Sequence, residues 1–473
     1  MPGRVNADLL LVGSVPARST EEAFRAGAAH FGDLVFALPD GETGPRSTWV
    51  GYERETLVRP NPAVAVVAET TSPTGFPRHT YESPVFRLRP GTSAVTFGSW
   101  PRIDDAIASY REFTALRESA VIPRGLRFQV GLPFPVSALN GLRADFAADY
   151  PVAFGGFAGL VERELARLLA VVPAEDLAIQ WDIAFETLDI EGVVPWTPHQ
   201  GGWERFAAAV DVLPRLVPDE VLVGYHLCYG TNPEWPMYEA RDMAVLVRMA
   251  NYAHAASGRP MDWVHMAGPR LLRSEDERFF RPLADLAIGD ARVFLGIVLP
   301  VDGQLGLRRR EATARKFLPD FGVALYCGFR VAPGSTPAEA IQDHEDTIRA
   351  VRRLGVLPEQ PHVLGEVPRR LRAGPYDRWR VTARVRLSRA PADAGLARRE
   401  HGGLCRGGGG VLPRQGRAAA AEPARRPVPS PGDQGRAAGL GRGNADRPAA
   451  RAQRDSRPGL PRVPRCVLRP GQR

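Results

Sequence analysis

Short apolar runs alternate with longer amphipathic stretches along most of the chain. Between the runs, apolar positions recur with helical spacing, as in STEEAFRAGAAHF, which opens on a Ser/Thr cap followed by glutamate. The runs have the length and composition of buried strands, and they lie at 8–14, 33–39, 126–133, 177–182, 220–228, 261–266, 291–298 and 322–328. This order predicts parallel strands joined by crossover helices.

Eight strand and helix repeats predict a closed (β/α)8 barrel, an α/β fold of the TIM-barrel type. The stretch from about residue 40 to residue 125 is longer than a simple crossover. An excursion that holds extra hairpins or helices is therefore expected after the second strand. An open, doubly wound sheet is the alternative. We assign the barrel to residues 1–355.

The composition changes after the barrel. Residues 361–473 contain 25 arginines, no lysines and eight acidic residues, and they are rich in Ala, Gly and Pro. Such a sequence cannot bury enough apolar surface to offset its chain entropy, so residues 356–473 are predicted to be a disordered low-complexity tail. An RNA-binding arm is the alternative. Because Lys316 is the only lysine of the chain, the gene is expected to be GC-rich. Out-of-frame translation of a GC-rich gene gives a protein segment rich in Arg, Ala, Gly and Pro, so a frameshift is a further hypothesis for the origin of the tail.

Charge and cysteine usage narrow the class of protein. The formal net charge of +8 comes from the tail, and the remainder of the chain is acidic overall, which disfavours nucleic-acid binding. No apolar segment has the roughly 18–20 residues that span a bilayer, and the N-terminus lacks a signal-peptide pattern. Four cysteines in 473 residues do not form a disulfide framework. A cytoplasmic protein without a membrane partner is expected.

Polar and thiol residues concentrate at the predicted C-terminal ends of the strands, where enzymes with this fold carry their active sites. Since side chains alternate along a strand, His226 and Cys228 must point to the same side, and Cys327 follows the last strand. Zinc prefers imidazole and thiolate ligands in tetrahedral geometry. These three residues predict a zinc site, whose fourth ligand is His265, a water molecule or the substrate.

Five segments occur in the order and spacing of the catalytic barrel of cobalamin-independent methionine synthase, which the chain resembles over roughly residues 8–350. The His-x-Cys segment and the late Cys-Gly are the most specific of them. The segments are GSVP (13–16), DGE (40–42), IQWD (179–182), YHLCYG (225–230) and YCGFR (326–330). This resemblance implies a barrel of the uroporphyrinogen decarboxylase and methionine synthase type, with zinc bound by the histidine and the two cysteines just named.

The resemblance also implies roles for residues around the metal. Gly13 and Ser14 resemble the segment that holds the amino-acid substrate, and Glu42 and Asp182 resemble the carboxylates that bind its ammonium group. Asp182 is counted as catalytic too, because orienting the amino acid brings its sulfur to the methyl donor. The glutamate that the family places among its zinc ligands has no counterpart in DWVHMAGPR (262–270), where His265 is the candidate.

The implied activity is zinc-dependent S-methyl transfer in methionine biosynthesis, like that of 5-methyltetrahydropteroyltriglutamate–homocysteine methyltransferase. Zinc makes a bound thiol a thiolate at neutral pH, so the expected partners are a homocysteine-like thiol and a methyl donor, either folate or corrinoid. The alternatives are a catalytically silent zinc-binding barrel and a uroporphyrinogen decarboxylase-like enzyme that recruits Arg18 and Arg46. Seven aromatic residues are candidates for the donor pocket: Trp181, Trp196, Trp203, Tyr225, Tyr229, Trp235 and Trp263.

Overall fold

The computed structural model describes residues 5–69, 71–73, 80–82, 84–230, 238–269, 276–299, 303–329 and 336–353. The predicted tail, 356–473, lies outside the described residues, so the tail and the division of the chain at residue 355 stay predictions. Over the described ranges, no helix combines the length and the apolar character that crossing a membrane demands.

The described residues contain twelve strands: β1 (Leu9–Leu10), β2 (Ala37–Pro39), β3 (Val64–Ala68), β4 (Thr71–Pro73), β5 (Thr80–Glu82), β6 (Val85–Leu88), β7 (Arg127–Pro133), β8 (Leu177–Ile183), β9 (Leu222–Leu227), β10 (Trp263–Ala267), β11 (Arg292–Val298) and β12 (Gly322–Leu325). Eight of them are parallel and form one sheet in the order β1-β12-β11-β10-β9-β8-β7-β2. A parallel bridge between Ser14 and Gly41 joins the two ends of that order, so the sheet closes, and the (β/α)8 prediction is confirmed over the open alternative. Each of the eight apolar runs overlaps one barrel strand.

Helices alternate with the barrel strands. The first begins as the sequence predicts, because the Ser19 hydroxyl caps it by accepting a hydrogen bond from the backbone N–H of Glu22 at 3.2 Å. The helices are α1 (Thr20–Phe31), α2 (Val50–Glu53), α3 (Pro101–Glu118), α4 (Pro135–Ala138), α5 (Phe146–Leu169), α6 (Phe185–Ile190), α7 (Gly202–Val212), α8 (Ala244–Ala256), α9 (Glu277–Phe280), α10 (Gly303–Arg315) and α11 (Pro337–Arg353).

The predicted excursion lies between β2 and β7. It contains a 3₁₀ turn (Gly44–Thr48), α2 and a π turn (Arg54–Val58), followed by two antiparallel pairs, β3 with β6 and β4 with β5. Helix α3 then leads back to the sheet. The excursion brings residues 47–50 to the mouth of the barrel, where they line the main cavity.

An apolar floor fills the barrel below its polar mouth. Trp263 is buried inside, opposite Gly224 on the neighbouring strand. A Cβ at residue 224 would lie 2.0 Å from the Trp263 ring, so the indole occupies the space that glycine leaves. Because side chains alternate, the inward row of β9 continues from Gly224 to His226 and then Cys228. The floor therefore sets the depth at which the candidate ligands lie.

Candidate active site

His226, Cys228 and Cys327 converge at the mouth of the barrel. Their ligand atoms all lie within 4.8 Å of one another, and Cys327 Sγ is 3.6 Å from His226 Nε2. Zinc with bonds of about 2.0–2.3 Å in a tetrahedron separates its ligand atoms by about 3.5–3.8 Å. One imidazole and two thiols at these distances form a group that could hold a metal ion such as zinc, and all three residues line one cavity.

Backbone hydrogen bonds at and near the two cysteines fix their positions at the mouth of the barrel. The backbone N–H of Cys228 donates to Ile183 at 3.0 Å, which extends the pairing of β8 and β9 by one residue. Beyond β12, the N–H of Phe329 donates to the carbonyl of Ser14 at 2.9 Å. A Cβ at Gly328 would lie 2.4 Å from Ser14 Oγ. The Cys-Gly pair therefore reflects close approach of the chain after β12 to the chain after β1.

Contacts among His226, Cys228 and Cys327 shift their pKa values in different directions. The hydrogen bond between the thiols lowers the pKa of Cys327 well below its usual value and raises that of Cys228. Burial acts to lower the pKa of His226, but Cys327 and the carboxylate of Asp182 raise it above its ordinary value. The cluster thus favours a thiolate beside an imidazolium, and a metal ion that binds there displaces protons.

The structure does not bring His265 into this ligand group. Its Nδ1 lies 2.7 Å from Nδ1 of His226, and its Nε2 lies 2.9 Å from the carbonyl oxygen of Leu325. Both ring nitrogens are therefore engaged by protein atoms. His265 lies behind His226 and contacts it on the side away from Cys327.

The four predicted substrate-binding residues line the same cavity as the metal ligands. Gly13, Ser14, Glu42 and Asp182 border a cleft of about 730 Å³, including its open mouth. Seven of the eight predicted site residues thus share one cavity, and the eighth is His265.

Glu42 is held from two sides. The Ser14 hydroxyl donates to its Oε2 at 3.0 Å, and Arg102 Nη1 lies 3.3 Å from its Oε1. Its backbone has a positive φ of 47°, directly after Gly41 at 82°. A Cβ at Gly13 would lie 3.5 Å from the Glu42 carboxyl. The carboxylate is therefore fixed against the backbone that follows β1.

Asp182 is a buried carboxyl group at the end of β8. Burial raises its pKa to about 7, and the nearby charge of Glu42 acts in the same direction. Gln180 Nε2 donates to Asp182 Oδ1 at 2.8 Å. A Cβ at Gly131 would lie 2.7 Å from Asp182 Oδ2, so the carboxyl occupies space that a glycine leaves open. A cationic group in the cavity would favour its ionised form.

Sequence reasoning missed an aromatic part of the cavity wall. That wall includes Trp49 and Phe185, and Arg102 lies behind Glu42. None of the three belongs to a motif, and the excursion that carries Trp49 has no strand pattern to place it. Of the seven aromatic candidates, Trp235 lies outside the described residues and the other six do not line this cavity, so that expectation is corrected.

The arginines considered for a decarboxylase do not gather in the cavity. Arg18 is paired with Glu22 on α1, and its side chain is 88% exposed. Arg46 is bound to Asp40 at 2.5 Å. Asp40 also accepts a hydrogen bond from Ser109 at 2.8 Å. Arg46 is therefore engaged by a carboxylate of the chain itself.

No model of a known protein family and no curated protein matches this sequence. Among solved structures, the chain is similar to a B12-independent methionine synthase from a Shewanella species in complex with selenomethionine, with 15% identity, 74% of this chain and 98% of that chain covered, and a TM-score of 0.50. A candidate B12-independent methionine synthase from Listeria monocytogenes has 13% identity and a TM-score of 0.44, with 74% of this chain and 98% of that chain covered. A methyltransferase from Methanosarcina mazei has 12% identity and a TM-score of 0.35, with 53% of this chain and 64% of that chain covered. At these identities, the first likeness shows a shared fold.

Proposed function

We propose that this protein is a zinc-dependent S-methyltransferase that methylates a small amino-acid thiol of the homocysteine type. The observation that carries the proposal is the convergence of His226, Cys228 and Cys327, whose ligand atoms lie within 4.8 Å of one another in a cavity that all three line. Two carboxylates, Glu42 and Asp182, line the same cavity. A soft metal site beside a pair of carboxylates suits a molecule with a thiol at one end and an ammonium group at the other.

Each residue has a distinct task in this proposal. His226, Cys228 and Cys327 would hold zinc, which lowers the pKa of a coordinated thiol and so supplies a thiolate nucleophile at neutral pH. Glu42 and Asp182 bind the ammonium group and fix the amino acid in the cleft. The segment Gly13 and Ser14 binds the carboxylate end. Selenomethionine, found in the Shewanella structure, is an analogue of the methylated product.

An open fourth ligand position distinguishes an enzyme from a silent zinc barrel. Structural zinc sites are closed by four protein ligands, whereas catalytic sites keep a position for substrate. Among the described residues, the candidate group contains three ligands. Both nitrogens of His265 are engaged elsewhere. This count supports the methyltransferase.

The methyl donor is expected on the side of the excursion. Trp49 and Phe185 give the cavity an apolar surface, and the thiols and carboxylates give it a polar one. A flat donor such as a methyl-folate stacks well on aromatic rings. We therefore place the donor against Trp49, with its methyl group directed at the thiol.

The test combines metal content with methylation of homocysteine by methyl-folate and by methylcobalamin. Wild-type protein is expected to contain about one zinc per chain and to use one of the donors. Replacing a zinc ligand, Cys228→Ser, is expected to lower activity at least about 100-fold and to reduce zinc content. Cys405→Ser, a change in the tail, is the matched control and is expected to leave both unchanged.

Two results would contradict the proposal. A Cys228→Ser protein that keeps zinc and activity would remove the site assignment. Wild-type protein that binds zinc but methylates homocysteine with neither donor, and whose zinc gains no sulfur ligand by X-ray absorption when homocysteine is added, would favour the silent barrel instead.

A further inference from the structure

Two buried histidines lie side by side on neighbouring strands. His226 on β9 and His265 on β10 are partners in the parallel register, they are 3% and 0% exposed, and their ring centroids are 4.7 Å apart. Their Nδ1 atoms are separated by 2.7 Å. Two nitrogens at that distance must share one proton in a hydrogen bond, so one ring donates and the other accepts.

The carbonyl of Leu325 decides which ring donates. It lies 2.9 Å from His265 Nε2 and can only accept, so His265 carries its proton on Nε2. A fully buried ring whose partners are a carbonyl and another imidazole has no counter-charge, so it stays neutral with a lone pair on Nδ1. His226 must then donate from Nδ1. Its remaining nitrogen, Nε2, is the one that faces Cys327 at 3.6 Å.

A glycine makes this arrangement possible. Leu325 is on β12, two strands away from β10, and the strand between them is β11. A Cβ at Gly296 of β11 would lie 2.9 Å from His265 Nε2 and 3.0 Å from the Leu325 carbonyl oxygen. The imidazole therefore reaches across β11 through the gap that this glycine leaves.

We propose that His265 is a positioning residue that fixes the ring of His226 with its Nδ1 protonated and its Nε2 presented to the metal. The inference rests on the proposed zinc site but assigns His265 a role other than that of a ligand. A chain of hydrogen bonds runs from the Leu325 carbonyl through His265 to His226. It connects the strand that precedes Cys327 to the strand that carries the other two ligands. Partners of this kind hold ligand orientation and typically affect metal affinity 10–100-fold.

The first measurement does not require zinc. Long-range ¹⁵N–¹H NMR spectra of the full-length protein without metal, assigned with single-histidine variants, are expected to show the His265 proton on Nε2 and a hydrogen-bonded proton on His226 Nδ1. A His265 ring protonated on Nδ1 would overturn the inference. In Gly296→Ala the Nε2 signal is expected to change, because the added methyl group blocks the path to Leu325.

The second measurement is zinc affinity by competition with a chelator, using full-length variants whose folding is checked by thermal unfolding. His265→Phe and Gly296→Ala are expected to weaken zinc binding about 10–100-fold. His265→Asn is expected to recover most of the affinity, because its amide oxygen accepts from His226 Nδ1. His254→Phe changes a histidine on α8 and is expected to have no effect.

The outcomes separate this inference from the proposed function. Equal zinc affinity in wild type and folded His265→Phe would refute the positioning role and leave the zinc site in place. If His265→Phe does not fold, the other two variants decide. Weaker zinc binding in Gly296→Ala, together with nearly wild-type zinc binding in His265→Asn, supports the positioning role. Wild-type zinc affinity in Gly296→Ala contradicts it. A wild-type protein without zinc affinity would refute the proposed function, and the NMR result would still decide the histidine pair.

Discussion

The position of the Asp182 carboxyl group depends on Gly131, which has no side chain to occupy the same space. In Gly131→Ala, the new methyl group would lie 2.7 Å from Asp182 Oδ2 and must displace the carboxyl from its place. Because a shift of about 1 Å in a positioning group can cost about 100-fold, kcat/KM for homocysteine is expected to fall about 10–100-fold. Zinc content should not change.

The matched control for that substitution is Gly159→Ala in α5, where an added Cβ meets no atom within 4 Å. Steady-state kinetics with homocysteine as the varied substrate distinguishes the two variants. Equal kcat/KM in Gly131→Ala and wild type would show that the Asp182 carboxyl does not bind the substrate.

Glu186 is a second buried carboxyl group, and it couples the stability of the fold to pH. Its oxygens accept hydrogen bonds from Ser137, from the backbone N–H at 3.0 Å and from the hydroxyl at 2.7 Å. Burial raises its pKa to about 7, whereas an unfolded glutamate titrates near 4.3. A raised carboxyl pKa favours the folded state at low pH, and this contribution is lost as the pH rises from about 4.3 through 7.

Replacing Glu186 by glutamine is therefore expected to flatten the dependence of the unfolding free energy on pH. Relative to wild type, the variant should gain on the order of 2 kcal/mol between pH 5 and pH 8. Urea unfolding at both pH values measures the difference, and Glu162→Gln, an exposed change on α5, is the control. Parallel pH profiles of Glu186→Gln and wild type would contradict the assignment.

Individual site residues could be predicted from the sequence where they end a barrel strand. His226, Cys228 and Asp182 follow an apolar run whose alternation fixes the side on which they lie. The role of His265 could not be predicted, because its partner Leu325 is 60 residues away and its access depends on Gly296. Contacts of this kind depend on the distances between strands, which no local pattern records.

At the level of elements, the eight apolar runs predicted the eight barrel strands, because both faces of a barrel strand are buried and the runs stand out. Their lengths were less predictable. The run at 8–14 forms a ladder only over Leu9–Leu10. Beyond Leu10, the backbone carbonyls of Leu11 and Val12 accept hydrogen bonds from the side chains of Gln129 and Gln180. The excursion was predicted to exist, but its course over the cavity was not.

The excursion holds Trp49 in a strained backbone conformation, with φ 48° and ψ −100°. An L residue there costs about 1–3 kcal/mol, and glycine does not. Trp49→Gly is therefore expected to be more stable than Trp49→Ala by about 1 kcal/mol, the reverse of the usual order in ordered structure. Urea unfolding of the two variants measures this difference.

Both Trp49 variants remove the same aromatic wall, so both are expected to raise KM for the methyl donor and to leave zinc content unchanged. Trp49→Phe keeps a ring and is expected to show the smaller rise. If Trp49→Ala is as stable as Trp49→Gly, the backbone strain is absent. If KM for the donor is unchanged in all three, the donor does not bind at this wall.

At the scale of the whole molecule, the candidate metal ligands join distant parts of the sheet. His226 and Cys228 lie at the end of β9, and Cys327 follows β12, with β10 and β11 between them in the sheet order. The unfolded chain does not hold these groups together, because 99 residues separate the two cysteines along the sequence. Metal bound only by the folded state therefore stabilises the barrel by mass action.

This linkage predicts that zinc stabilises the folded protein. A zinc concentration 100 times the dissociation constant adds about 2.7 kcal/mol to the free energy of unfolding, which corresponds to a rise in Tm of several degrees for a domain of this size. Differential scanning calorimetry with zinc and with a chelator measures the shift. Cys228→Ser is expected to lose most of this rise in Tm, because it lacks one of the three ligands, while Cys405→Ser should respond to zinc as the wild type does. A wild-type Tm that is the same with zinc and with chelator would mean that the three side chains meet without binding a metal.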